Sequence, residues 1–242
     1  MHVFMRSFII HMRGDQKRQA NAKKLLSDLP SARIADAVVG QHVLDSNSYP
    51  LQPGDLHTPN YPFPLTAGEV GCFLSHRQCW QQIVSEGLEY ALIAEDDLEI
   101  DPAIWPETLD LLHSHASADT YIRIPAKHRE KPAAMVGQRD HASLFLPRVI
   151  GLQTVCQVVG RNAAQRLLDA SIALDRPVDT FIQMHWVTRQ PVHTILPGGV
   201  RELTDELGGS TIQMKSRTGL APMREIKRAW YRAQVDLRPQ KL

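Results

Sequence analysis

Residues 90–97 read Tyr-Ala-Leu-Ile-Ala-Glu-Asp-Asp, an apolar run that is followed at once by three carboxylates. A short apolar run of this kind is typical of a strand that is buried on both faces of a sheet. In open α/β sheets, ligands bind beyond the carboxyl ends of the strands. The stretch therefore predicts a central strand and, directly after it, a binding site.

The segments around this strand alternate between strand and helix patterns. Strands are predicted at 3–10, 31–39 and 121–124, and helices at 16–29, 66–85, 102–117 and 161–171. Two more strands, at 143–150 and 153–159, are expected to pair as a hairpin around Gly151. Five prolines between residues 41 and 65 predict a long loop without regular structure. This order predicts one α/β domain with a mostly parallel central sheet flanked by helices.

Composition limits the class of protein. The chain has 242 residues, 43% of them hydrophobic, which is enough to fill a core without disulfides. Its formal net charge of +1 argues against a general nucleic-acid binder, in which one basic face dominates. Three cysteines are too few for a disulfide framework. The N-terminus lacks a signal-peptide pattern, and no run of about eighteen apolar residues occurs. We therefore expect a cytoplasmic protein without a membrane span.

The charge is unevenly distributed along the chain. Residues 215–242 hold eight Lys and Arg against two acidic residues, a net charge of +6, and the rest of the chain carries −5. Five residues of this segment recur at helical spacing among the basic ones, namely Ile226, Ala229, Trp230, Ala233 and Leu237. The pattern predicts a domain at 1–214 and a basic amphipathic tail at 215–242. The tail helix either lies on an anionic membrane or packs its apolar stripe on the body.

Glu95, Asp96 and Asp97 are the sharpest chemical signal in the sequence. Adjacent carboxylates repel one another, and a divalent cation such as Mg²⁺ or Mn²⁺ relieves the repulsion. In an extended segment, Glu95 and Asp97 would point the same way and Asp96 the opposite way. The alternative is a solvated acidic loop that caps the helix predicted after it. Spacing alone leaves both interpretations open.

The helix before the buried strand carries a second group of candidate residues. Gly68 and Gly71 near its start would let a ligand approach the backbone closely. Glu69, Cys72 and His76 follow one another at helical spacing, so they share one face. Cys72 is expected to be a small core residue rather than a nucleophile. His76 either contacts a ligand phosphate or the acidic cluster, or has a structural role.

Two stretches carry a resemblance to a known family: L-T-A-G-E-V-G-C-F-L-S-H at 65–76 and Y-A-L-I-A-E-D-D at 90–97. They resemble glycosyltransferase family 25, which includes bacterial lipopolysaccharide and lipooligosaccharide biosynthesis enzymes and the related collagen galactosyltransferases. Weaker matches surround this core: I-I-H-M-R at 9–13, A-V-V-G at 37–40, R-N-A-A-Q-R-L-L at 161–168 and P-V-D at 177–179. His11 and Val39 depart from the family pattern, which has Asn and Asp at these places.

The resemblance implies a nucleotide-sugar-dependent transferase with a GT-A-like single domain. It gives Glu95, Asp96 and Asp97 the role of the family's D-x-D element, with Asp97 and Glu95 as ligands of Mn²⁺ or Mg²⁺. Such a cation stabilises the charge that grows on the leaving diphosphate. The residues implied to contact the nucleotide sugar are Arg13, Arg18, Ser75, His76, Glu95 and Asp96.

An inverting transferase also needs a carboxylate that deprotonates the acceptor hydroxyl. The resemblance makes Asp179 the first candidate, because it lies in the family's P-x-D element, and Glu69 the second. Asp179 has an alternative role as the N-cap of a helix that begins near Thr180. The catalytic base is therefore predicted among these two carboxylates.

The predicted function is hexose transfer to a lipid-linked oligosaccharide acceptor of the lipooligosaccharide type. UDP-galactose is the first candidate donor and UDP-glucose the second. The basic tail would hold the enzyme on the cytoplasmic face of the inner membrane. From the residues alone, two alternatives stay open: a metal-dependent phosphohydrolase that uses the same carboxylates, and a non-catalytic nucleotide or saccharide binder.

Overall fold

The computed structural model describes residues 5–208 and 221–241. The strands are β1 (Arg6–His11), β2 (Ala32–Asp36), β3 (Tyr90–Glu95), β4 (Leu98–Ile100), β5 (Tyr121–Arg123), β6 (Pro132–Gln138), β7 (Ser143–Pro147), β8 (Cys156–Gly160), β9 (His193–Leu196) and β10 (Val200–Glu202). The helices are α1 (Gln16–Asp28), α2 (Gly40–Ser46), α3 (Ala67–Ser85), α4 (Trp105–His115), α5 (Arg161–Ala170), α6 (Val178–Ile182), α7 (His185–Thr188) and α8 (Ala221–Asp236). The start of the first predicted strand at residues 3 and 4, and the predicted domain boundary at 214, lie outside the described residues.

Eight strands form one sheet in the order β2-β1-β3-β8-β5-β9-β7-β6, and β4 pairs with β10 in a small second sheet. β1 pairs in parallel with β2 and β3, and β5 pairs in parallel with β9. β8 and β7 run antiparallel to their neighbours. Six of the eight strands therefore share one direction. The predicted α/β fold with a mostly parallel sheet is confirmed.

Strand β3 is buried on both faces, as its apolar run predicts. Ala91 and Ile93 pack on one side in a cluster that includes Trp80 of α3. Leu92 and Ala94 pack on the other side with residues of α1 and α4. Fully burying a Leu or Ile side chain contributes about 1.5–3 kcal/mol to the free energy of folding. The two cores thus hold β3 in the middle of the molecule, with its carboxyl end at the sheet edge.

Helix α3 begins where the sequence predicts, and it crosses α2 closely. Thr66 and Glu69 form the expected capping box, each side chain accepting a hydrogen bond from the other residue's backbone N–H. A Cβ at Gly71 would lie 2.6 Å from the Val38 carbonyl oxygen and 3.0 Å from the Gly40 nitrogen. The absence of a side chain at Gly71 thus lets α3 pack against the backbone of residues 38 and 40, and the approach of a ligand to Gly68 and Gly71 stays a prediction.

Two local predictions are wrong. The strands expected to form a hairpin do not pair with each other: β7 lies between β6 and β9, whereas β8 lies between β3 and β5. Strand β6 was not predicted because its side chains are mostly exposed and show no alternation. The long loop also begins with helix α2, which ends before the first of the five prolines.

Helix α8 carries the apolar stripe of the predicted tail. It contacts the body through Tyr231 and Val235, which are buried, and the Arg176 guanidinium donates to the Tyr231 hydroxyl at 3.3 Å. Trp230 and Leu237 are instead 68% and 80% exposed. The helix therefore packs on the body, as one alternative has it, but it does so through Tyr231 and Val235 and leaves the predicted apolar stripe exposed. None of the helices in the described ranges combines the length and the apolar character that crossing a membrane requires.

Candidate active site

The carboxyl ends of the parallel strands β1, β2 and β3 meet at one edge of the sheet. A cavity of about 270 Å³, here called cavity A, lies beyond that edge. The residues that directly follow the three strands line it, namely Met12, Ala37 and Asp96, and α3 forms another wall through Cys72 and His76. This is the position at which open α/β sheets bind ligands.

The Asp96 carboxylate is held by protein groups on both oxygens. Arg18 Nη1 donates to Asp96 Oδ1 at 2.8 Å, and His11 Nδ1 lies 2.7 Å from Asp96 Oδ2. The Asn21 amide donates to the Asp96 carbonyl oxygen at 2.7 Å. Buried carboxylates are stable only when they are paired and hydrogen-bonded. These contacts therefore fix the turn that carries Asp96 and its neighbour Asp97.

Asp97 is bound less completely than Asp96. Its Oδ2 accepts a hydrogen bond from Thr204 Oγ1 at 2.7 Å and lies 3.2 Å from Arg18 Nη1. Its Oδ1 is buried and has no hydrogen-bond partner within the described part of the chain. Burial and the nearby Glu95 carboxylate raise the pKa of Asp97 to about 6. A further cation beside Asp97 would therefore be favourable.

The three carboxylates do not alternate as an extended segment requires. Strand β3 ends at Glu95, and the chain turns at Asp96 and Asp97 before β4 begins. Asp96 and Asp97 consequently share the Arg18 guanidinium, while Glu95 faces α3. The prediction that Asp96 points away from the other two carboxylates is wrong because it assumed an extended backbone through residue 97.

Glu95 joins the sheet edge to α3. Its Oε1 accepts hydrogen bonds from His76 Nε2 at 3.2 Å and from Thr154 Oγ1 at 2.9 Å. Burial opposes the charged form, but the contacts with His76 and Thr154 hold the pKa of Glu95 below its ordinary value. His76 is fully buried, and its Nδ1 lies 2.8 Å from Gln157 Nε2. Because that amide nitrogen is a donor, the imidazole proton is on Nε2 and points to Glu95.

A second cavity of about 430 Å³, here called cavity B, opens beside cavity A. Cys72 and Glu95 line both cavities, so they mark the junction between them. Asp179 and Glu69, the two candidate bases, lie on the wall of cavity B. The structure thus brings both candidates to the same space, next to the acidic cluster.

The two candidate bases differ in how their carboxylates are held. Asp179 is the second residue of α6, whose N-cap is Pro177, so its alternative role as an N-cap is wrong. Burial raises the pKa of Asp179, although Thr180 donates hydrogen bonds to it from its backbone and its hydroxyl. Glu69 Oε2 is engaged by the Thr66 backbone N–H and hydroxyl. The raised pKa makes the ionised Asp179 carboxylate a stronger proton acceptor than an ordinary Asp.

A family model relates this site to known proteins. The model of glycosyltransferase family 25, described as an LPS biosynthesis protein, matches residues 4–182. The chain belongs to glycosyltransferase family 25. The resemblance carried by residues 65–76 and 90–97 is therefore confirmed.

The relatives in family 25 are longer proteins. Procollagen galactosyltransferase 2 of Homo sapiens is 27% identical over 201 residues, covering 76% of this chain and 30% of the relative. A probable inactive glycosyltransferase 25 family member 3 of Rattus norvegicus is 37% identical over 100 residues, covering 39% of this chain and 17% of the relative. The chain thus spans less than a third of the length of these relatives. Among solved structures, mannose-1-phosphate geranyltransferase from Thermus thermophilus aligns with a TM-score of 0.36 at 12% identity, covering 79% of this chain and 73% of that one.

Most residues that the family 25 resemblance assigns to the nucleotide sugar reach cavity A. Those that line it are Arg18, Ser75, His76, Glu95 and Asp96. Arg13 does not, since its side chain is 85% exposed and pairs with Asp36 at 2.8 Å. The Ser75 hydroxyl donates to the Gly71 carbonyl oxygen at 2.7 Å and accepts from the Val38 N–H at 2.9 Å. Ser75 therefore holds α3 against the end of β2.

Five polar residues that hold the acidic cluster or its partners were not predicted from the sequence: His11, Asn21, Thr154, Gln157 and Thr204. His11 carried a signal, because it stands where the family 25 pattern has Asn. The other four lie between 59 and 107 positions from the residues they bind. Contacts of that separation depend on the fold, and no local motif marks them.

The acidic cluster of this family 25 chain suits a hard divalent cation. Carboxylate oxygens are the ligands that Mg²⁺ and Mn²⁺ prefer. Asp97 offers a buried oxygen that no group in the described ranges engages, and burial together with the Glu95 charge raises its pKa. Asp96 does not fit this role, because Arg18 and the imidazole of His11 occupy its oxygens. Asp97 and Glu95 are thus the residues that could hold the ion.

Proposed function

We propose that this chain transfers a hexose from a UDP-sugar to a lipid-linked oligosaccharide acceptor of the lipooligosaccharide type. Galactose is the first candidate, since relatives are named procollagen galactosyltransferases, and glucose is the second. One observation carries the proposal: cavity A and cavity B meet at Glu95, with Asp179 on the wall of cavity B. A transferase needs a donor and an acceptor held on two sides of one reacting carbon.

Cavity A is assigned to the nucleotide. Its walls come from residues 37–41 and from the first two turns of α3, and they are mostly backbone and small side chains. Such walls suit the faces of a nucleobase and a ribose. Arg18 lies in the same cavity beside the acidic cluster, where a diphosphate would gain from its positive charge.

We assign the acidic cluster of Glu95, Asp96 and Asp97 to the stabilisation of the leaving diphosphate. A divalent cation bound by Asp97 and Glu95 would supply Lewis-acid stabilisation of the charge that grows on the diphosphate. The chain's own part is to keep the carboxylates in place. Arg18 holds the turn through Asp96 and Asp97, and His76 donates to Glu95. These contacts preorganise the site before the donor binds.

Asp179 is assigned as the base. It accepts the proton of the acceptor hydroxyl, whose oxygen forms a bond to the anomeric carbon as the bond to UDP breaks. Attack from the side opposite to UDP inverts the anomeric configuration. The raised pKa of Asp179 favours proton transfer to it at neutral pH. Glu69 is the second candidate, because the capping box already engages its carboxylate.

We assign helix α8 to binding the membrane that carries the acceptor. Arg228 and Arg232 line cavity B, while Ile226 and Trp230 are exposed on the same helix and Leu237 is exposed directly after it. A basic amphipathic helix with an exposed Trp suits the surface of an anionic membrane. A lipid-linked acceptor on that surface would then lie near cavity B. We therefore place the working enzyme on the cytoplasmic face of the inner membrane.

A non-catalytic nucleotide-sugar binder is the second candidate. A relative named as probably inactive is 37% identical over the 100 residues it shares with this chain. Such a protein would keep cavity A but would not release UDP. The two candidates therefore predict the same donor binding and different chemistry.

A thermal-shift panel tests donor binding. The protein is heated with UDP-galactose, UDP-glucose, UDP or GDP-mannose, each in Mn²⁺ or in EDTA. A ligand at about 100 times its Kd stabilises a protein by about 2.7 kcal/mol. We expect the uridine nucleotides to raise the Tm in Mn²⁺, and Asp97→Asn to remove the Mn²⁺-dependent part. An unchanged Tm with every uridine nucleotide would overturn the assignment of cavity A.

A further inference from the structure

Cys72, His76 and Glu95 form a compact group of metal-binding side chains. One donor atom from each residue lies within 4.8 Å of the other two. Cys72 and His76 are four positions apart on α3 and share a face, and Glu95 stands opposite them at the end of β3. Neither the capping of α3 nor the hydrophobic core requires a thiol, an imidazole and a carboxylate to converge here.

This donor set differs from that of the pair Asp97 and Glu95. Sulfur, nitrogen and oxygen donors together are typical of Zn²⁺, and catalytic or exchangeable Zn²⁺ sites have three protein ligands and one open position. All-oxygen sets instead favour Mg²⁺ and Mn²⁺. Cys72 and Glu95 line both cavities, so an ion has a path from solvent to this group.

The side chains around the group support ion binding. Gln157 and Thr154 hold His76 and Glu95 from behind, which is the role that outer hydrogen-bond partners have in metal sites. Four carboxylates act electrostatically on the Cys72 thiol: Glu95, Asp179, Asp97 and Glu69. Their negative charge favours a cation at the same place.

We propose that Cys72, His76 and Glu95 bind a thiophilic divalent cation of the Zn²⁺ class at the junction of cavity A and cavity B. The ligands are the Cys72 thiolate, the Nε2 atom of His76 and a carboxylate oxygen of Glu95. The site shares Glu95 with the cation site of the transferase proposal, but it requires neither a donor nor an acceptor, so its occupancy is tested separately from transferase activity.

Binding displaces two protons from their present positions. The thiol proton of Cys72 passes to solvent, and the imidazole proton of His76 moves from Nε2 to Nδ1. At present Gln157 presents its Nε2 to that Nδ1 and its Oε1 to the Tyr121 hydroxyl. A half-turn of the Gln157 amide exchanges these roles, so that Oε1 accepts from His76 and the amide donates to Tyr121. No oxidation or reduction takes place.

Cobalt spectroscopy tests the site directly. Co²⁺ replaces Zn²⁺ in such sites, and a cysteine thiolate bound to it gives an intense near-ultraviolet charge-transfer band. The chelator-treated protein, free of nucleotide, is titrated with Co²⁺ and then with Zn²⁺. We expect the band to appear with Co²⁺, to disappear as Zn²⁺ displaces it, and to be absent in Cys72→Ser.

The two other cysteines provide matched controls. Cys79 and Cys156 are buried in the hydrophobic clusters and line neither cavity. The double variant Cys79→Ala/Cys156→Ala keeps Cys72 as the single thiol of the chain. We expect this variant to keep the band and Glu95→Gln to weaken Co²⁺ binding at least tenfold.

The wild-type protein and the double variant make the test decisive even if Cys72→Ser fails to fold. A band in both supports the site, because the thiolate can then come from Cys72 alone. A wild-type protein without the band, or a double variant that loses it while its circular dichroism is unchanged, overturns the proposal.

Discussion

The guanidinium of Arg18 lies 2.8 Å from the Asp96 carboxylate, and both side chains are buried. The same nitrogen lies 3.2 Å from Asp97. One cation thus serves two adjacent carboxylates at the edge of the sheet. The turn that carries them therefore depends on a residue of α1 that lies 78 positions earlier in the chain.

Replacing Arg18 by Gln should strongly destabilise the fold. Removing one partner of a buried ion pair costs about 3–5 kcal/mol, because the other charge stays buried. The control is Arg13→Gln, whose pair with Asp36 is exposed and should contribute no more than about 1 kcal/mol. Urea unfolding followed by circular dichroism measures both variants. If the two variants are equally stable, Arg18 does not have the role described.

Replacing Asp179 by Asn should stabilise the protein at neutral pH. Burial raises the pKa of Asp179 above its value in the unfolded chain, which is about 3.9. A carboxyl with a raised folded-state pKa contributes its full stability below the unfolded pKa and loses it as the pH rises through the folded pKa. The Tm of Asp179→Asn minus that of the wild type should therefore grow from about pH 4 to about pH 7. A difference that stays flat or shrinks would show that Asp179 is not held in an unfavourable charged form.

The two candidate bases should respond differently to amide substitution. General base catalysis contributes about 10²–10⁴-fold, so Asp179→Asn should slow UDP release by at least 10²-fold while donor binding is kept. Glu69→Gln should keep most of the activity, since Gln at this position also completes a capping box. The rate of UDP release and the donor thermal shift are measured on both variants. The opposite pattern would assign the base to Glu69.

The exposed stripe on α8 should bind anionic vesicles. Ile226→Glu/Trp230→Glu places two charges on the stripe without touching the buried Tyr231 and Val235. We expect this variant to sediment less with vesicles that contain phosphatidylglycerol. The control is Ile172→Glu, which changes a residue that is 71% exposed on the body. If the wild type, the double variant and Ile172→Glu sediment equally, the stripe on α8 does not bind the vesicles.

The fold could be predicted where apolar pattern and chain order agree. The run at 90–94 is buried on both faces, and it predicted β3 without reference to any other segment. The pairing partners of β7 and β8 could not be predicted, because both strands are apolar and Gly151 lies between them, as it would in a hairpin. Their neighbours were decided by packing against β3, β5 and β9. The exposed strand β6 has no periodic signal at all.

The site was predictable as a set of residue types but not as a network. The sequence pointed to Asp97, Glu95 and Asp179. Glu95 and Asp179 line cavity B, and Asp97 lies in the turn directly after β3, two positions beyond Glu95. The sequence did not indicate that Arg18 and His11 would occupy both carboxylate oxygens of Asp96. That outcome depends on the turn after β3, which a local pattern of three carboxylates does not specify.

We propose that this family 25 chain cleaves a UDP-sugar with the help of its acidic cluster. The most direct test is the rate of UDP release from UDP-galactose and UDP-glucose in Mn²⁺, for the wild type and for Asp97→Asn. We predict that the wild type releases UDP, that EDTA stops it, and that Asp97→Asn lowers the rate by at least about 10²-fold with an unchanged circular dichroism spectrum. A wild type that releases no UDP from either donor, or an Asp97→Asn variant as fast as the wild type, would contradict the claim.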